Sequence, residues 1–167
     1  MVEKPVLLSY NRSKRQSLEQ EQTSMVVSTK GRYALRVMID LAEHQTDQYM
    51  PLKQIAARQG ISEKYLENIL KSLVQHGLLQ GLRGKGGGYR LTRPADQYRV
   101  SDILLLTEGN LAPVTCLEPG AAPCSRLPEC RTYAMWRGLD KVIRDYLDRI
   151  TLADLARPAL TGDDYAI

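Results

Sequence analysis

Residues 52–77 read LKQIAARQGISEKYLENILKSLVQHG, and this stretch decides the fold. Its first seven residues predict a short helix with two apolar residues facing inward. A tight break around Gly60 follows, and Ser62 is a good N-cap for a longer helix that Gly77 ends. A short helix, a three-residue turn containing glycine and a longer helix make a helix-turn-helix.

The flanking residues complete a larger unit around this motif. From Ser28 onward, apolar residues recur every three or four positions and predict an amphipathic helix before the motif. After it, residues 78–83 (LLQGLR) and 89–92 (YRLT) predict two short strands joined by a glycine-rich turn, which is a wing. The sequence therefore predicts a mainly α fold with a small β-hairpin, a winged helix-turn-helix.

The second half of the chain predicts helices around a loop. Residues 100–108 (VSDILLLTE) predict a short helix, and from Thr132 a helical period predicts one long helix ending near Pro158. The predicted segments are a disordered extension (1–24), the winged helix-turn-helix (25–93), a linker helix with a cysteine-bearing loop (94–131), a dimerisation helix (132–157) and a flexible tail (158–167).

The long C-terminal helix carries an apolar stripe. Such a stripe normally packs on the core of its own chain. This helix is too long for a module of this size to bury alone, so we expect it to pair with a second copy in a homodimer. A two-fold dimer also suits a palindromic DNA site, because symmetry doubles the contacts.

Charge is distributed unevenly along the chain. Residues 25–93 carry eleven Lys and Arg against five Asp and Glu, whereas residues 94–167 carry eight against eleven. A basic first half suits a module that docks on phosphate, joined to one with another task. Ordinary scatter of surface charge is the alternative explanation.

The outward face of the longer helix supplies candidate base contacts. Asn68 suits adenine, Glu67 suits cytosine, and Lys64 and Lys71 suit guanine or phosphate, while Arg83 of the wing suits a narrow minor groove. A plain solvated face is the alternative. The candidate DNA-binding residues are Lys30, Arg32, Ser62, Lys64, Tyr65, Glu67, Asn68, Lys71, Arg83, Lys85 and Gly86.

Other classes of function find little support. The wing sequence GKGGG resembles a phosphate loop, but it lacks the spacing G-x-x-x-x-G-K-[ST] and no helix follows it. We find no Ser/His/Asp set or paired carboxylates, and we expect no enzyme. The chain has neither a secretory signal nor an apolar run of the ~18 residues that a membrane span needs, so we expect a cytoplasmic protein without a membrane partner.

Cys116, Cys124 and Cys130 are spaced C-x7-C-x5-C, so all three fall within fifteen residues. Zinc sites usually contain a close C-x2–4-C pair, which is absent. An odd number of cysteines in a reducing compartment argues against a disulfide framework. Three thiolates on a proline-rich loop can instead bind an iron–sulfur cluster, with a fourth ligand from elsewhere. Three unrelated buried cysteines are the alternative.

Several motifs together resemble the Rrf2 family of bacterial transcription regulators, across about residues 25–156. The resemblance implies a homodimeric winged-helix protein whose three cysteines hold a 2Fe–2S cluster, and cluster occupancy then changes which promoters are bound. It also implies iron–sulfur assembly proteins as candidate partners. The motifs are STKGRYALRVMIDLA (28–42), IAARQGISEKYLENIL (55–70), LRGKGGGYRL (82–91) and DRITLADLA (148–156).

The resemblance assigns roles by position. It makes Cys116, Cys124 and Cys130 the cluster ligands. It makes Glu67 the residue that discriminates between DNA site types, and Arg83 the wing residue that reads the minor groove. Lys64 stands where the family has a small polar contact residue, which changes the expected base preference.

The fourth ligand stays open. The histidine ligand of the family, three residues after the last cysteine, is Tyr133 here, and tyrosine is an uncommon iron ligand. Some members use a residue at the start of the first helix, but the matching Arg32 cannot bind iron. A water, another carboxylate or a 4Fe–4S cluster are the alternatives. A second hypothesis is a family member without a cluster that responds to a partner protein or to thiol oxidation, as in cysteine metabolism.

Overall fold

The computed structural model describes residues 27–46 and 48–157. The predicted disordered extension (1–24) and flexible tail (158–167) lie outside these residues. Within the described part of the chain, no helix has the length and apolar character needed to cross a membrane. The elements are α1 (Thr29–Glu43), α2 (Leu52–Gln59), α3 (Glu63–Gln75), β1 (Leu79–Leu82), β2 (Gly88–Leu91), α4 (Val100–Glu108), α5 (Tyr133–Arg149) and α6 (Leu152–Leu155).

One apolar core holds α1, α2 and α3 together. Because its apolar residues recur at helical spacing, each helix presents a single buried face to this core. Burial of each such side chain contributes about 1.5–3 kcal/mol, so the packed faces fix the helices more strongly than any one surface contact. The buried apolar side chains of α1 and α3 are those of Ala34, Val37, Met38, Leu41, Leu66, Ile69, Leu70 and Leu73.

The predicted helix-turn-helix is present, with helix ends set by local chemistry. Gly60 ends α2 in the left-handed region, at φ 63°, which a residue with a Cβ rarely adopts. Ser62 then caps α3, because its side chain accepts a hydrogen bond from the Tyr65 N–H at 3.3 Å. The turn therefore needs only Gly60, Ile61 and Ser62 to redirect the chain.

The predicted hairpin is also present. β1 and β2 pair antiparallel, with Leu79 opposite Leu91 and Leu82 opposite Gly88. Met50 extends this small sheet, because it exchanges two backbone hydrogen bonds of 2.9 Å with Tyr89. The wing is thus anchored to the residues that lead into α2.

A buried tyrosine fixes the base of the wing to the end of α3. The hydroxyl of Tyr98, which is fully buried, donates to the Leu78 carbonyl at 2.8 Å and accepts from the Thr92 N–H at 2.8 Å. Thr92 in turn donates through Oγ1 to the Gly77 carbonyl at 2.8 Å. These bonds join both ends of the hairpin to the residues just after α3.

The prediction of one long C-terminal helix, residues 132–157, is wrong. Helix α5 ends at Arg149, and Thr151 begins the separate short helix α6 through a capping box with Asp154. Leu152 is fully buried in the main core, and its N–H donates to the Tyr98 carbonyl at 2.9 Å. The chain therefore turns back onto the winged domain where a straight helix would carry Leu152 away from it.

Candidate nucleic-acid interface and cysteine loop

Helix α3 turns its polar flank away from the core. The apolar face is buried, so the opposite side is open to a partner over its whole length. Side chains in the first two turns of such a helix are those that reach base edges in a major groove. The predicted contact residues that are exposed here are Ser62, Lys64, Tyr65, Glu67, Asn68 and Lys71.

An ion pair between a buried carboxylate and a partly exposed arginine holds the end of α2 in place. Asp40 on α1, only 2% exposed, accepts hydrogen bonds from Arg58 Nε at 2.7 Å and Nη2 at 2.8 Å. The side-chain amide of Gln59 donates to the same carboxylate at 3.1 Å. Chiefly through these bonds to Asp40, the pKa of Arg58 is raised above its ordinary value, so the guanidinium stays charged. A buried carboxylate stripped of such partners costs several kcal/mol, so the end of α2 is fixed to α1.

A second, exposed contact closes the turn from outside. Arg36 donates from Nε to the Gln59 side chain at 3.1 Å and from Nη2 to the Gln59 carbonyl at 2.7 Å. Its guanidinium also lies over the Tyr33 ring, 5.3 Å from the centroid. The Tyr33 ring meets Tyr65 of α3 edge-on, with centroids 5.9 Å apart. Tyr65, predicted only as a DNA contact, therefore also braces α3 against α1.

Two of the four glycines in the wing are explained by neighbouring backbone that leaves no room for a Cβ. A Cβ on Gly88 would lie 2.1 Å from the Met50 carbonyl oxygen, and one on Gly87 would lie 2.3 Å from the Leu82 carbonyl oxygen. Gly84 and Gly86 instead need glycine because φ is positive, at 91° and 77°. The fold alone demands all four glycines, whatever the wing tip contacts. The predicted contact residues at this tip, Arg83, Lys85 and Gly86, are exposed.

The wing and α3 act electrostatically on the same ring. Partial burial raises the pKa of Tyr89, the Glu67 carboxylate raises it further, and Arg83 opposes both. Glu67 belongs to α3, whereas Arg83 belongs to the wing. Two residues predicted to contact DNA thus influence the pKa of one wing tyrosine, which the sequence did not identify.

The remaining predicted DNA contacts lie elsewhere. Lys30 and Arg32 are on the first turn of α1, where Lys30 is partly exposed and Arg32 exposed. Arg32 donates to Thr29 Oγ1 at 3.2 Å. These two residues extend the candidate interface to a third element, the N-terminus of α1.

The three cysteines lie on the loop between α4 and α5. Cys116, Cys124 and Cys130 are all exposed and free, so the alternative of three buried cysteines is wrong. Three thiolates are a suitable donor set for iron–sulfur chemistry. Across residues 27–46 and 48–157, however, no three His, Cys, Asp or Glu side chains form a metal-binding arrangement. The loop therefore supplies suitable donors without gathering them within one chain.

Neighbouring residues change the acidity of the Cys130 thiol. Its Sγ lies 3.5 Å from Thr132 Oγ1, and hydrogen bonding to Thr132 lowers the pKa of this thiol. Tyr133, the candidate fourth ligand, is half-buried and lies beneath the Arg137 guanidinium, 5.8 Å from the ring centroid. Its backbone N–H donates to the Cys130 carbonyl at 3.4 Å.

Comparison with known proteins assigns this architecture. The model of the family Rrf2, described as an iron-dependent transcriptional regulator, matches residues 27–158. This chain belongs to the Rrf2 family. The resemblance inferred from the sequence is confirmed, and so is the function at that level, a DNA-binding transcriptional regulator. Because its relatives are regulators, this Rrf2 protein fits the expectation of a non-enzyme.

Individual Rrf2 relatives cover most of the chain. The regulator IscR of Erwinia tasmaniensis is 38% identical over 131 residues, which is 78% of each protein. The structure of CymR, the global cysteine regulator of B. subtilis, gives a TM-score of 0.64 at 37% identity and covers 78% of this chain and 95% of its own. T. potens IscR gives 0.61 at 36% identity, with 81% and 93% covered. The predicted winged-helix fold is therefore confirmed.

Gly88→Ala is expected to destabilise the protein by about 1–3 kcal/mol, because the new Cβ forces the wing away from Met50. Gly81→Ala is the matched control on the opposite strand, since its Cβ would meet Tyr89 at an ordinary 3.4 Å. Urea denaturation followed by circular dichroism gives both free energies of unfolding. Equal stability of the two variants would contradict the steric explanation.

Proposed function

We propose that this protein is a homodimeric regulator that reads a palindromic promoter site and adjusts its binding to iron–sulfur or redox status. The observation that carries the proposal is the exposed polar flank of α3, which lies opposite the buried apolar face of the helix. A rigid helix with one free polar side suits insertion between the phosphate ridges of DNA.

Within this proposal, α3 reads bases and the wing contacts the neighbouring groove. Asn68 and Lys64 lie in the first two turns of α3, where side chains reach adenine and guanine edges. Arg83 and Lys85 at the wing tip supply positive charge for phosphates and a narrow minor groove. The Tyr98 hydroxyl joins the base of the wing to the residues just after α3, which supports a surface on which helix and wing meet one duplex together.

The homodimer is supported by an uncovered apolar stripe on α5. No residue of Tyr133–Arg149 is fully buried, in contrast to the faces of α1 and α3. The stripe follows helical spacing, and its exposed large residues are Met135 (55%), Leu139 (39%), Val142 (63%) and Tyr146 (56%). Burying such a stripe against a second copy removes apolar surface from water and places two α3 helices on one site.

For the sensor, we propose that Cys116, Cys124 and Cys130 bind an iron–sulfur cluster, 2Fe–2S in the first instance and 4Fe–4S as the alternative. Thiolates are the ligand form, and the lowered pKa of Cys130 favours that form. A bound cluster would supply one-electron redox chemistry and sensitivity to iron and oxygen. The fourth ligand is open, with Tyr133 as one candidate. Iron–sulfur assembly proteins are the expected source of the cluster, and a reducing cytoplasm is the expected compartment.

A second candidate function omits the cluster. All three thiols are exposed, unpaired and not gathered within one chain, so oxidants or a partner protein have direct access to them. Similarity to the cysteine regulator CymR favours this candidate as well. The cysteine experiment below separates the two.

Selection from random duplexes is expected to recover a palindromic site, and two variants then separate base reading from phosphate contact. Asn68→Ala should cost about 1–3 kcal/mol of affinity for the selected site with little change for other duplexes. Lys85→Ala should weaken binding to all duplexes alike and reduce the salt slope by about one. Fluorescence anisotropy at several salt concentrations measures both. A wild-type protein without preference among duplexes would refute the proposal.

Val142→Glu is expected to convert the dimer to monomer, because a carboxylate in the centre of the apolar stripe cannot be buried without a partner. Lys141→Glu introduces the same carboxylate at the preceding position. It should leave the dimer intact because that side chain is 74% exposed. Analytical ultracentrifugation at micromolar concentration distinguishes the two. A wild-type monomer, or a dimer that persists in Val142→Glu, would exclude this interface.

Protein purified without oxygen from iron-replete cells is expected to be brown, and Cys116→Ala is expected to abolish its visible absorbance. Mössbauer spectra identify the cluster type, and a spectral change in Tyr133→Phe would make that hydroxyl the fourth ligand. Colourless wild-type protein, together with DNA affinity that responds to a thiol oxidant, would reject the cluster and favour the second candidate.

A further inference from the structure

The N-terminus of α1 is tied to the C-terminus of α4. Ser28, the N-cap of α1, donates to Glu108 Oε1 twice, from its backbone N–H at 3.2 Å and from Oγ at 2.9 Å. The same Oγ accepts from the Gly31 N–H at 3.2 Å. One carboxylate oxygen on α4 therefore holds the cap residue, and the cap residue holds the first turn of α1.

Gly31 packs closely against this carboxylate. A Cβ at Gly31 would lie 2.0 Å from Glu108 Oε1 and 3.2 Å from Thr107 Oγ1. Gly31 is buried within α1, and a side chain there would have to displace the flexible end of Glu108, whereas the wing tip needs glycine for its backbone angle. The electrostatics of a helix N-terminus also favour a carboxylate at this position. The end of α4 is thus seated directly on the first turn of α1.

The contact between α1 and α4 lies next to two regions of proposed function, the DNA-contacting turn of α1 and the cysteine loop. On α1, the turn held by Ser28 carries Lys30 and Arg32, both candidate DNA contacts. On α4, Glu108 is the last helical residue, and Gly109 ends the helix with φ 82°. The cysteine loop starts immediately afterwards at residue 110. Its first apolar residues are packed into the protein, whereas its cysteines are exposed.

We propose that Glu108 is a positioning residue that couples the cysteine loop to the DNA-contacting turn of α1. The inference rests on the proposed function and adds the route by which the loop changes DNA affinity. A rearrangement of the cysteine loop displaces the buried residues at its start and the end of α4. Because Ser28 and Gly31 contact the same carboxylate, displacement of Glu108 releases the first turn of α1 together with Lys30 and Arg32.

The test uses the full chain and a loop probe that requires no cluster. Affinity for the selected duplex is measured before and after blocking the cysteines with methyl methanethiolsulfonate, and the ratio of the two Kd values reports coupling. We expect a ratio of at least about five in the wild type, and a ratio near one in Ser28→Ala and in Glu108→Ala, which removes the acceptor oxygen. Ser28→Thr retains the hydroxyl and should restore the wild-type ratio.

A matched control separates coupling from helix capping in general. Ser62→Ala removes the side-chain cap of α3, which has no contact with Glu108, so it should lower affinity before and after blocking and keep the ratio. Hydrogen exchange of the α1 amides gives a second readout. Blocking the thiols should accelerate exchange in the first turn of wild-type α1, whereas Ser28→Ala should show fast exchange in both states.

The outcomes distinguish this inference from the proposed function. Wild-type protein that prefers no duplex would refute the proposed function itself. Wild-type protein that binds its site with the same Kd after blocking would overturn the coupling alone. The coupling is equally overturned if Ser28→Ala and Glu108→Ala fold, bind the site and keep the full wild-type ratio.

Discussion

The geometry of this protein depends on one buried carboxylate. Asp40 lies among apolar side chains of α1, where a charge is tolerated only with its partners in place. Arg58 and Gln59 are those partners, and both belong to the last turn of α2. Meeting this electrostatic requirement sets the end of α2, and Gly60 then turns the chain by a fixed amount into α3. The polar flank of α3 faces outward because its opposite, apolar face packs into the same core as α1.

A few polar contacts likewise fix the position of the wing. Tyr98 uses one buried hydroxyl to join the hairpin base to the end of α3, and Met50 ties β2 to the start of α2. Helix, turn and wing are therefore connected by polar contacts as well as by the apolar core. The cysteine loop is different, because its thiols are exposed and its regular structure consists of short 3-10 turns. Fixed contacts around α3 and the wing, next to a loop with three exposed thiols, would suit the proposed regulator, in which the signal acts on the loop.

Local features were readable from the sequence, and non-local ones were not. The apolar period of α1, the cap at Ser62 and the glycine-rich turn are encoded within a few residues, so the winged helix-turn-helix was predicted correctly. The Asp40–Arg58 pair spans 18 positions, and no local pattern indicates which charges will meet in the core. The steric need for Gly88 depends on Met50, which is even farther away in the sequence.

The C-terminal error has a different cause. The apolar period continues through residues 150–155, and it favoured one long helix over two. The capping box at Thr151 and Asp154 was a readable signal for a new helix start, but it was outweighed by the period. The ligand geometry of the cysteines stays a prediction. The spacing of the thiols indicates which metal centres the loop could bind, but it says little about how the loop folds.

The central claim, that α3 reads bases from a position fixed by Asp40, is tested most directly by a crystal structure of the protein on its selected duplex. The account predicts α3 in the major groove, with Asn68 and Lys64 about 2.7–3.2 Å from base edges and Arg83 at the adjacent minor groove. It also predicts that the pair of Asp40 and Arg58 remains as it is in the free protein. A duplex bound by another surface, with the polar flank of α3 facing solvent or sealed against protein, would contradict the account.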